Sequence, residues 1–148
     1  MECAGCNQCC VTFPIDSIGK QENEMCRFCD VGVGCQIHHT DIPAACQSFE
    51  CWYFKKGNIE EALRPDKCRV IFEYIKNCDL YLGTTPKDEP YAWQQPIIRA
   101  QTERFLMLGK PVVFTCFQPM QRFVFLTGGR DASQVWDCLT KEAKAVRE

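Results

Sequence analysis

The sequence predicts an α+β fold: an irregular, cysteine-rich, metal-stabilised N-terminal half packed on a small antiparallel sheet with two helices. Three observations carry this. Ten of the 13 cysteines fall at or before residue 68. The same stretch is interrupted by Gly5, Pro14, Gly19, Gly32, Gly34, Pro43 and Gly57, and no apolar period runs long enough to build a core. From residue 69 onward, β-branched and aromatic runs alternate with helical patterns.

The elements follow in order. Asn58 is placed to cap a short helix over Ile59-Glu60-Glu61-Ala62-Leu63, which Pro65 stops. Residues 69–75 are β-branched and aromatic and predict a strand, with residues 79–82 pairing back across Lys76-Asn77-Cys78. Thr84 to Pro90 is polar and reads as loop. Residues 96–108 predict a helix that Gly109 and Pro111 end. Residues 112–117 and 122–127 predict two strands, joined at hairpin spacing by Gln118-Pro119-Met120-Gln121. Gly128-Gly129 turns the chain into a last helix, where Asp131 and Gln134 have the spacing of a capping box. Ala132, Val135, Trp136, Leu139, Ala143 and Val146 fall on one face of it. Gly128-Gly129 before a helix could cradle an anion, but a plain turn is the simpler account. The chain thus divides into a cysteine-rich metal-binding region, residues 1–73, and a small α+β region, residues 74–148, expected to form one structural unit.

Composition narrows the function. The 148 residues carry a net charge of −2, with a pI near 5.7. That balance gives no general attraction to nucleic acid or to anionic membranes. No apolar run reaches the length of a membrane span. The opening Met-Glu-Cys-Ala-Gly-Cys lacks the basic and apolar regions of a secretory signal, so a cytoplasmic, reducing compartment is expected. There, clustered thiols persist best as metal ligands, and an odd cysteine count argues against a disulfide framework.

The spacing sharpens this. Cys3-x2-Cys6-x2-Cys9-Cys10 is followed by Cys26-x2-Cys29, with 19 residues between Cys6 and Cys26. This is the arithmetic of a C-x2-C…C-x2-C zinc site, so Cys3, Cys6, Cys26 and Cys29 could form one tetrahedral set. Alternatively, Cys3, Cys6 and Cys9 have the spacing that holds an iron–sulfur cluster. Soft thiolates suit zinc or iron–sulfur and exclude magnesium or calcium. Cys9 and Cys10 are adjacent and point apart on an extended backbone, so they are expected to serve different ions. Cys35, Cys46, Cys51 and Cys68 supply further ligands, which makes two or more ions the expectation. His38 and His39 read as loop histidines, since thiolates are already in excess. Cys78, Cys116 and Cys138 sit within or beside regular elements and are expected to pack in the core. Asp16, Glu22 and Glu24 lie between cysteine motifs, where a solvated loop explains them as well as a metal site does.

These residues resemble the CxxCxxCC family, described as a zinc- or iron-chelating domain. The likeness rests on Cys3-x2-Cys6-x2-Cys9-Cys10, Gly34-Cys35-Gln36-Ile37, Pro43-x2-Cys46-x2-Phe49-x-Cys51-Trp52 and the segment from Leu63 to Glu73. It covers residues 3–73. Two positions depart: His38 stands where many members carry Tyr, and Ile42 precedes Pro43 where many carry Arg. The resemblance implies cysteine-bound metal. A related motif occurs in flagellin lysine N-methylases, where an iron–sulfur centre is involved.

The favoured function is therefore a non-catalytic metal-binding protein, with zinc at closed thiolate sites in a structural role or in binding a protein partner. The alternative is an iron–sulfur protein with a redox or methyltransferase-related role. A nucleic-acid-binding zinc module ranks last, because Lys55, Lys56, Arg64 and Lys67 are diluted by Glu60, Glu61 and Asp66. No catalytic arrangement stands out. Trp52, Tyr53 and Phe54 are expected to shield the metal and tie the two halves together.

Overall fold

The computed structural model describes residues 5–38, 40–117 and 120–145. Cys3, His39, Gln118, Pro119 and Val146 lie outside the described residues.

The N-terminal half is made of short pieces: α1 (Gln8–Thr12), β1 (Cys29–Asp30), β2 (Gly34–Cys35), α2 (Ala44–Ser48), α3 (Trp52–Lys56) and α4 (Pro65–Cys68). The chain cannot extend them, because glycines and prolines recur too often for propagation to repay nucleation. The expected helix at 59–63 is instead a 3₁₀ turn at Glu61–Leu63. Asn58 is left-handed, with φ of 51°, and so ends α3's descent through Gly57 rather than starting a helix.

The second half holds β3 (Ile71–Ile75), β4 (Leu80–Thr85), α5 (Pro96–Met107), β5 (Val112–Cys116), β6 (Gln121–Phe125) and α6 (Ala132–Ala145). The α+β class is as expected, but the sheet is not wholly antiparallel. Its order is β3-β4-β5-β6, with β4 and β5 parallel. The reason is the connection. Residues 86–111 carry α5 back across the sheet, and a crossover helix returns the next strand in the same direction. β4 also runs three residues beyond the expected end, taking Gly83, Thr84 and Thr85 from the segment read as loop or its edge. Gly83 is required there: a Cβ would lie 2.6 Å from the Phe114 ring and 3.1 Å from that of Phe72. The boundary at residue 73 falls inside β3.

The sheet is covered on both faces. On one, Phe72, Val112 and Phe114 pack with Ile98 and Phe105 of α5, together with Leu63, Cys68, Val70 and Ala92. Trp52 of α3 meets Phe72, Tyr81 and Phe105 edge-on at 5.1–6.4 Å between centroids. On the other, Cys78, Leu80 and Val113 pack with Val135 of α6. The Asp131 carboxylate accepts from Gln134 N–H at 2.9 Å, and Asp131 N–H donates to Gln134 Oε1 at 3.1 Å, completing the expected capping box. Of the predicted face of α6, Val135 is buried and Trp136 and Leu139 pack beside it, while Ala132 and Ala143 are exposed.

Two of the cysteines assigned to core packing are joined. Cys78 and Cys138 form a disulfide with Cα atoms 5.7 Å apart. Read one at a time, each looked like a small hydrophobe. The fold lays α6 over the turn after β3 and brings together residues 60 apart in sequence. Cys116 is 1% exposed, as a packing residue should be. Among the described residues, no helix is long and apolar enough to cross a membrane.

Candidate metal centre

The described residues of 5–50 stand apart from the apolar clusters that flank the sheet, and none of them belongs to either. Six are buried: Cys6, Gln8, Thr12, Ile15, Lys20 and Cys26. Only one of these six is aliphatic, so the segment lacks the apolar burial that normally offsets chain entropy.

Short elements bring the thiols together. α1 presents Cys9 and Cys10 while burying Gln8 and Thr12 one turn apart, with Gln8 Nε2 donating to Thr12 Oγ1 at 3.1 Å. The chain then loops through residues 13–25, and Cys26 N–H donates to Cys10 O at 3.0 Å. This sets the second CxxC beside the first. Cys29 pairs with Cys35 across the β1–β2 ribbon. Asn7 anchors that ribbon: its side chain donates to Cys29 Sγ at 2.8 Å and accepts from Gly32 N–H at 2.7 Å. Gly5 sits so close to the ribbon tip that a Cβ would lie 2.6 Å from Gly32 O. Cys46 arrives on α2.

The electrostatics record this gathering. Cys10 shares hydrogen bonds with Cys9 and Cys29 and is pushed far above the usual thiol range, first by Cys9 and then by burial. Burial and the neighbouring Cys10 lift Cys29 to about 12. Burial lifts Cys46 to about 11, with Cys10, Cys26 and Cys35 adding to the shift. For Cys29 and Cys46 burial is the larger cause, and the negative charge that neighbouring thiols would carry adds to it.

Cys6 lies elsewhere, near Cys68. Its sulfur accepts from the backbone N–H groups of Gln8 and Asp66, and the Arg64 side chain bonds to it; burial nonetheless raises its pKa. Cys68 is 1% exposed, lies 3.4 Å from both Leu63 O and Val70 O, and is lifted to about 11 by burial. Cys51 is buried at the start of α3. Nine of the ten sequence candidates thus sort into three places: Cys9, Cys10, Cys26, Cys29, Cys35 and Cys46 in one neighbourhood; Cys6 with Cys68; and Cys51 at the join to the sheet. Cys3 is outside the described residues. The four-cysteine set of Cys3, Cys6, Cys26 and Cys29 is therefore not the grouping seen for its described members. Among the described residues, no three His, Cys, Asp or Glu side chains converge closely enough to hold an ion.

Sequence reading passed over two residues of the site. Asn7 stands inside the CxxC block and could have been suspected from that place alone. Lys20 could not: it is 6% exposed, and its ammonium donates to Val11 O at 3.1 Å, Phe13 O and Gln21 O at 2.9 Å. Asp16 and Glu24 are exposed, as a solvated loop requires. Lys55 pairs with Glu50 and Arg64 with Asp66, so half of the suspected basic stripe is taken up by carboxylates.

Comparison with protein-family models, curated proteins and solved structures finds no match to this chain.

Proposed function

We propose that this chain is a non-catalytic metal-binding protein that holds zinc through the thiolates of Cys9, Cys10, Cys26, Cys29, Cys35 and Cys46. One observation supports the reading: four separate segments bring six cysteines into one electrostatic neighbourhood, and none of the described residues of 5–50 belongs to either apolar cluster. Packed as thiols they contribute little. Bound to an ion they crosslink α1, the 26–29 turn, β1–β2 and α2, and the binding free energy becomes folding free energy. The donor set is soft and suits zinc. Binding draws the sulfurs in to about 2.3 Å from the ion as each loses its proton. Six thiolates exceed one tetrahedral shell, which keeps two ions in the proposal. The ordered N-terminal half is then a rigid surface, docked on the sheet through Trp52, and fit for a protein partner.

Metal content and an absorption spectrum of protein purified without air test this. A colourless sample with zinc is expected. Cys10→Ser should lose that zinc and Cys116→Ser should keep it. A brown sample absorbing near ~400 nm would move the site to iron–sulfur chemistry, and protein without metal would overturn the proposal.

A further inference from the structure

Cys78 and Cys138 are bonded to each other, while ten other described cysteines are free. The bond joins the turn after β3 to the middle of α6, with Cα atoms 5.7 Å apart. Cys138 follows Val135 by three residues and lies on the same stripe of the helix. The two ends differ in access. Cys78 is 3% exposed and Cys138 is half-buried, so solvent reaches the bond from the Cys138 side. What holds α6 besides the bond is small. Val135 is its one buried side chain among those described, with Trp136 and Leu139 partly buried beside it. A helix of 14 residues with so little cover is marginal in water.

We propose that the Cys78–Cys138 bond is a redox-operated latch on α6, closed as the disulfide and open as two thiols. The inference is independent of the metal-binding reading. In a compartment that keeps the ten other thiols reduced, a disulfide is set by the local thiol poise, and such bonds are usually transient rather than structural. Opening is thiol–disulfide exchange. A dithiol reductant attacks the Cys138 sulfur as its thiolate, the S–S bond breaks, and Cys78 leaves as a thiolate that takes up a proton. The second thiol of the reductant then displaces Cys138, which is protonated in turn. One protein disulfide and one dithiol become two protein thiols and one reductant disulfide, so two electrons and two protons pass to the protein. α6 is released, and Leu80 and Val113 lose the cover of Val135. A disulfide oxidant reverses the exchange and closes the latch.

The test equilibrates the full-length protein in glutathione buffers set to a reducing and to an oxidising poise, then quenches and alkylates it. Peptide mass spectrometry reads Cys78 and Cys138 separately from the other thiols, and amide hydrogen exchange reads α6. Both cysteines should be alkylated from the reducing buffer and protected in the oxidising one. Exchange across residues 132–145 should be about 30-fold faster with the bond open, the lower end of what a disulfide holds. Return to the oxidising buffer should restore the slow rate. Cys138→Ser should exchange at the fast rate in both buffers. A bond that stays closed in the reducing buffer, or that opens and does not re-form, would overturn the switch. A bond that opens without changing exchange in α6, or a Cys138→Ser protein as protected as the oxidised chain, would overturn the latch.

Discussion

At the scale of single residues, burial decides chemistry that the sequence does not show. Glu73 lies on β3, where burial, reinforced by Glu50, lifts its carboxyl to about 7. In the unfolded chain a glutamate titrates near ~4.3. Folding therefore favours the protonated form. Below the unfolded pKa the group costs nothing. As pH rises from there through about 7, the folded state increasingly resists ionisation and stability falls. Glu73→Gln should accordingly raise the melting temperature at pH 8 and leave it unchanged at pH 4, as thermal unfolding at the two pH values will show. Nothing in the sequence marked Glu73, because a lone glutamate in a strand pattern looks like an exposed position. Lys20 was hidden for the same reason. The cysteines were legible as a group because spacing is a sequence property. Their partition was not, since it depends on how residues 13–25 loop back to lay Cys26 beside Cys10.

At the scale of elements, local patterns were read well and pairings less so. The capping box of α6 and the extent of α5 follow from nearest-neighbour chemistry. The parallel β4–β5 pair and the Cys78–Cys138 bond depend on contacts distant in sequence, and no local pattern encodes them. The attachment of α6 is slender. Val135 is its one buried side chain among those described. Around it, Arg122 stacks on Trp136 at 4.5 Å, Arg130 Nη1 donates to Cys78 O at 2.6 Å, and Asn77 donates to Glu142 Oε1 at 3.0 Å. Surface polar contacts of this kind are worth little each, so the disulfide carries much of the docking. Reducing it with a phosphine should cost about 2–4 kcal/mol of stability. It should also speed amide exchange across residues 132–145 while β4 and β5 stay protected. Unchanged exchange in α6 would show that apolar packing alone suffices.

At the scale of the whole molecule, two modes of stabilisation meet in one chain. The sheet, with α5 on one face and α6 on the other, buries Phe72, Phe114, Ile98 and Leu80 and has the makings of an ordinary core. Residues 5–50 have thiols, a buried lysine, and hydrogen bonds from Asn7 and Gln8. The division was legible in the sequence as the contrast between a glycine-broken, cysteine-dense half and a periodic one. The joints between the halves were only partly so. Trp52 was expected to join them. The Arg69 guanidinium reaching Gln8 Oε1 at 2.8 Å while holding Asp88 at 2.7 Å was not. The central claim is that a thiolate-bound metal holds the first half together, and hydrogen exchange before and after chelation tests it most directly. The account predicts that stripping the metal abolishes protection across residues 5–50 and leaves β3, β4 and β5 protected. Protection in residues 5–50 that survives complete removal of metal would contradict it.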